Sequence, residues 1–197
     1  MRMAWLMIGV LVVSMVDAAQ FRSSRAETQH LAGQIIKSAG QLPGLPFAVP
    51  LDVDNATRYE KDGTGVILIP ARGTDRERLK KSKGQTVPLG VMWFFNVAPS
   101  TRGFSRIPDS NLYSVVVSKG GKKTRLRGMV LGFRGNKLLI FGKRKKLLME
   151  IQIAEMLLHQ RSPIDISASG DKDKGTLSMN LFGAYAVRIP IVVTASK

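Results

Sequence analysis

The stretch LYSVVVSKGGKKTRLRGMVLGFRGNKLLIFGKRKKLLMEIQI, residues 112–153, decides the architecture. Four apolar or β-branched runs stand in it: Leu112–Ser118, Thr124–Phe133, Lys137–Gly142 and Leu147–Ile153. The connections between them are short and of turn composition, namely Lys119-Gly120-Gly121-Lys122-Lys123, Arg134-Gly135-Asn136 and Lys143–Lys146. Such spacing predicts an antiparallel meander of hairpins. In the last run Leu147, Met149, Ile151 and Ile153 alternate with Leu148, Glu150 and Gln152, which gives one core face and one wetter face.

The same period of two continues on both sides of this stretch. Downstream, Ile164, Ile166 and Ala168 alternate with Asp165, Ser167 and Ser169; Leu177, Met179 and Leu181 alternate with Thr176, Ser178 and Asn180; and Tyr185, Val187, Ile189, Ile191 and Val193 form a last run. Upstream, Thr64–Ile69 is β-rich, and Thr86–Val97 places Val87, Leu89, Val91, Trp93, Phe95 and Val97 on one face with Met92 and Phe94 on the other, the mark of a strand covered on both sides. Between them, residues 73–84 form a charged insertion with a Thr74–Glu77 capping-box pair, and Ala98–Asn111 is a turn-rich connection. The pattern predicts a mainly β chain: a two-sheet antiparallel sandwich, immunoglobulin-like or jelly-roll-like, with a short N-terminal helix. A small closed β-barrel is the second architecture that fits.

Three segments are expected. Residues 1–18 read as a signal peptide, with an apolar run from Trp5 to Val16 that is short of the roughly 20 residues that span a bilayer. Cleavage near Ala18 would place the chain outside the cytoplasm, secreted or periplasmic. Residues 19–50 hold a helix from Ser24 to Ala39, capped by Ser24 and Glu27 and bearing Leu31, Ile35 and Ile36 on one face, followed by a Pro-rich linker. Residues 51–197 form the β-sandwich domain.

No cysteine is present, which removes disulfides, thiolate metal sites and a cysteine nucleophile together. The two histidines, His30 and His159, lie in unrelated contexts, and no Gly-x-Ser-x-Gly elbow or phosphate loop accompanies them. The groups Asp52-Val-Asp54-Asn55 and Asp171-Lys-Asp173 read as turns whose side chains bond their own backbone. No cofactor, metal site or catalytic residue is implied.

Lys and Arg number 30 against 14 Asp and Glu, a formal charge of +16. In an up-and-down meander alternate turns fall at the same end of the sheet, which would gather Lys119, Lys122, Lys123, Lys143, Arg144, Lys145 and Lys146 on one rim flanked by Arg125 and Arg127. Such a rim is an electrostatic site for anionic polysaccharide, lipid phosphate or another polyanion. No motif for sequence-specific nucleic-acid recognition accompanies it. The sequence therefore reads as an exported non-enzymatic binding or structural protein of the cell envelope or extracellular space. Its rivals are an exported hydrolase with carboxylates hidden in the fold, and a subunit of a surface assembly.

Overall fold

A computed structural model describes residues 24–40, 50–82, 84–119, 121–155, 163–171 and 173–194. The expected signal peptide and most of the Pro-rich linker lie outside them, as does His159. Seven antiparallel strands make the first sheet: β1 (Thr57–Lys61), β2 (Thr64–Pro70), β3 (Val87–Phe95), β5 (Tyr113–Lys119), β6 (Lys122–Arg134), β7 (Lys137–Phe141) and β8 (Leu147–Gln152). Five make the second: β4 (Val97–Pro99), β9 (Ala154–Glu155), β10 (Ile164–Gly170), β11 (Lys174–Leu181) and β12 (Tyr185–Val193). Neither sheet closes on itself, so the fold is a sandwich and not a barrel. The helices are α1 (Arg25–Ala39) and α2 (Arg76–Lys80), and among the described residues no helix is long and apolar enough to cross a membrane.

The alternation of β3 explains the layering. Met92 and Phe94, with Val66, Leu68, Met129 and Leu131, point to the second sheet and pack with its Leu177, Met179, Val187 and Ile189. Val91, Trp93 and Phe95, with Ile67, Ile69, Leu126 and Val130, point the other way and are covered by Leu31, Ala32 and Ile35 of α1. Helix, sheet and sheet thus stack as three layers, and the first sheet is buried on both faces at its centre. Trp93 fits because its cross-strand neighbour is Gly128, where a Cβ would stand 2.3 Å from the indole ring.

Helix α1 begins as the sequence predicts, with the Ser24 hydroxyl accepting from the Glu27 N–H at 3.2 Å. It also guards a sheet edge. Gln34 Oε1 accepts from the Ser118 N–H at 3.1 Å, and the Ser38 hydroxyl donates to the Val116 carbonyl at 3.4 Å. These bonds occupy backbone groups on the outer side of β5 that would otherwise invite another strand. In the insertion before β3, the cap of α2 falls one residue later than the sequence suggested. Asp75 accepts from the Arg78 N–H at 2.8 Å, while the Thr74 hydroxyl donates across to the Pro88 carbonyl at 3.0 Å.

Two strands of the first sheet run on into the second. The run from Val87 to Val97 reads as continuous in sequence but turns at Asn96, whose φ of 54° lies in the left-handed region that Asn tolerates. Its side chain donates to the Gly63 carbonyl at 2.8 Å, and β4 then pairs with β12, Ile191 opposite Pro99. Strand β8 makes a similar passage through Ile153 into β9, which pairs with β12 at Tyr185 and Ala186.

Candidate functional site

Register fixes where the basic residues go. Strand β6 is 13 residues long, about twice its hairpin partners. Both β3 and β5 pair with Arg127 and Gly128, so they flank opposite edges of β6; both β3 and β7 pair with Val130 to Phe133, so they do too. Strands β5 and β7 therefore lie end to end along one edge of β6.

This arrangement corrects the single rim. The turn at Lys119–Lys122 sits at the far end of β5, whereas the turn at Lys143–Lys146 sits at its near end, against Asn111. The two are separated by the length of β5, about 23 Å at roughly 3.3 Å per residue. Alternate turns do reverse in the same sense, but unequal strands stagger them. Lys119 pairs through its backbone with Lys122.

The near turn is held firmly to the fold. Gly142 approaches so close that a Cβ there would stand 2.1 Å from the Asn111 carbonyl oxygen, and the Lys146 ammonium donates to the Asn111 side chain at 3.4 Å. Arg144 and Lys145 both have positive φ, 56° and 58°, in a two-residue turn of the kind that Asn-Gly normally fills. Among the described residues no carboxylate stands within ion-pair distance of Lys143, Arg144, Lys145 or Lys146. The turn at the other end of β6 differs: Arg134 and Lys137 both pair with Glu150, at 3.6 and 2.8 Å. The Lys137 hydrogen bond and charge hold the Glu150 carboxyl below its ordinary value.

Lys123, Arg125 and Arg127 occupy alternate positions of β6 and so share one face. That face belongs to the inter-sheet side, where Met129, Leu131 and Phe133 follow them into the core. The first half of β6 projects past the second sheet, so Lys123 and Arg125 are exposed. Lys122 is equally exposed on the opposite face, the one that α1 covers further along. Arg127 donates to the Ser114 hydroxyl at 2.9 Å and pairs with Asp109 at 2.8 Å; Arg106 pairs with the other oxygen of Asp109 at 2.7 Å. Burial pushes the Asp109 carboxyl up, but the hydrogen bonds and charges of the two guanidiniums outweigh it and leave the group below its ordinary value.

These contacts link Arg127 to Arg106, and the Lys123–Arg125 face of β6 leads up to them. From Lys123 and Arg125 the band runs through Arg127, Asp109 and Arg106, along the single helical turn Asp109–Asn111, to Lys146 and the rest of its turn. Sequence reasoning missed Arg106 and Asp109 because they lie in an irregular connection whose path no periodicity records.

Elsewhere, a crevice of about 640 Å³ opens between the β1–β2 and β10–β11 hairpins, with Tyr59, Lys61, Asp62, Asp171 and Lys174 on its lining. Its two acids lie at turns. Asp62 and Gly63 take φ of 50° and 72° in the β1–β2 turn, and the Asp171 N–H donates to the Lys174 carbonyl at 2.9 Å. Asp52 likewise accepts from both the backbone and the side chain of Asn55, at 3.3 and 2.8 Å. His30 is exposed on α1 beside Gln34, 2.8 Å away. Among the described residues no three His, Cys, Asp or Glu side chains gather as a metal set.

No protein-family model, curated protein or solved structure matches the chain. Its function is therefore argued from its own surface.

Proposed function

We propose that this chain is an exported, non-enzymatic binding or structural protein of the cell envelope or extracellular space, and that it contacts polyanions through the basic band. The observation that carries the reading is the composition of the band. Lys123, Arg125 and Arg127 share one face of β6, Arg127 and Arg106 both pair with the one carboxylate Asp109, and Lys146 of the 143–146 turn bonds Asn111 two residues on. Cations placed in this way attract a polyanion and release its counterions on contact, so affinity falls steeply with salt.

The test is binding of the purified protein, residues 19–197, to a heparin-like sulfated polymer and to phosphate polymers at low salt. Expected is binding that weakens steeply with salt and weakens further when Lys143, Arg144, Lys145 and Lys146 are changed together to Ser. Absence of binding, or binding indifferent to salt, contradicts the reading.

A further inference from the structure

The open face of the β5–β6 hairpin carries more than charge. Along β6 the side chains are Lys123, Arg125 and Arg127; directly across on β5, at Cα partners, stand Ser118, Val116 and Ser114. The cations repeat every second residue, about 6.6 Å apart on a strand that rises roughly 3.3 Å per residue. Val116, opposite Arg125, is 48% exposed, the most exposed large apolar side chain among the described residues. The floor is therefore two parallel rows, one cationic and one of hydroxyl and methyl groups. Helix α1 closes the other face, and the Arg106–Asp109 pair stands at the inner end, where it pins Arg127.

From this arrangement we infer that the anion is a linear phosphodiester chain, laid extended along β6 with its charged groups on the Lys123–Arg125–Arg127 row and its neutral units over Ser114, Val116 and Ser118. The inference rests on the polyanion reading above and adds the chemistry of the polymer. A chain with one charge per repeat and an uncharged sugar or polyol between charges matches both rows. A chain charged at every few ångströms, such as inorganic polyphosphate, matches only the first, and its surplus charges would fall between the cations without partners. Single-stranded nucleic acid and poly(glycerol phosphate) share the fitting chemistry. Recognition of this kind reads the backbone and not the sequence.

Affinities are measured at about 0.15 M salt, where charges more than roughly 8 Å away are screened and long-range attraction gives way to contact. The ligands are an oligothymidylate, a poly(glycerol phosphate) and an inorganic polyphosphate of equal total charge, with a heparin-like polymer as reference. Expected is tighter binding of at least one phosphodiester chain than of polyphosphate, and whichever phosphodiester binds better identifies the source. K123A and R125A should each weaken it several-fold and lower the salt slope by about 0.7 to 1. K122A, one residue away but on the opposite face, should change it less than twofold, and V116D should weaken it without unfolding the chain. Equal effects of K122A and K123A, or polyphosphate binding as tightly as both phosphodiesters, overturn the inference. If only the heparin-like polymer binds, the polyanion reading stands and this inference falls; if nothing binds, both fall.

Discussion

Strand β6 has two halves that differ in what covers them. From Lys122 to Arg127 one face lies partly under α1 and the other meets solvent, and from Lys123 on the residues alternate between Lys or Arg and smaller or apolar side chains. From Gly128 to Phe133 both faces are covered, and every residue is buried. The switch falls on the inter-sheet face between Arg127 and Met129. It teaches that the number of covering layers, and not the strand itself, sets the pattern: one layer permits alternation, two demand continuous apolar character. The same change from solvent to second sheet leaves Lys123 and Arg125 available to a ligand.

Truncation should separate the halves most sharply. Leu131→Ala empties a fully buried site between the sheets and is expected to cost about 2–5 kcal/mol in denaturant unfolding. Arg125→Ala, six residues away on the same strand, should stay within about 0.5 kcal/mol of the parent while weakening polymer binding. Comparable stability losses at the two sites would break the comparison. At the boundary itself, Gly128→Ala drives a methyl into the Trp93 ring and should cost about 1–3 kcal/mol by overpacking. A silent Gly128→Ala would mean that the indole is not seated where the layers require it.

The basic turn offers a change of opposite sign. Lys145 holds a φ of 58°, which disfavours any side chain by roughly 1–2 kcal/mol, so Lys145→Gly should raise stability by up to about 1 kcal/mol and weaken polymer binding. Stability and binding would then move apart at one residue, as expected where strain is retained for the charge it presents.

The smallest effect concerns Asp109. Its carboxyl is depressed in the folded chain, so the stability it contributes is complete above the unfolded value of about 3.9 and is lost as pH falls from there through the lower folded value. Its partners are partly solvent-exposed, which limits the amount to about 1 kcal/mol or less. Arg127→Ala should move the Asp109 titration, followed by carboxyl NMR, upward towards the ordinary range. An unmoved titration would show that Arg127 does not bridge the two parts of the band.

Much of the fold is legible in the sequence because burial writes a period. The helix at Ser24–Ala39, the two-sided strand read at Thr86–Val97 as far as its turn at Asn96, and the run of hairpins all follow from alternation, capping residues and Gly or Asn turns. What is not legible is strand length relative to neighbours. Thr124–Phe133 reads as one strand among equals, and nothing in its composition says that β5 and β7 share its edge. Local pattern records which face is covered, whereas register depends on pairing across the sheet. The basic residues were visible for the same reason, and their grouping was not: Arg106 and Asp109, which connect the two groups, come from a loop without periodicity.

The central claim is that the basic band is the surface a polyanion meets. It is tested most directly by backbone amide NMR of the protein titrated with a short single-stranded phosphodiester oligomer at low salt. The account predicts that shifts concentrate at Arg106–Asp109, Ser114–Ser118, Lys123–Arg127 and Lys143–Lys146. Shifts confined to the crevice between the β1–β2 and β10–β11 hairpins, or spread evenly over all exposed cations, would contradict it.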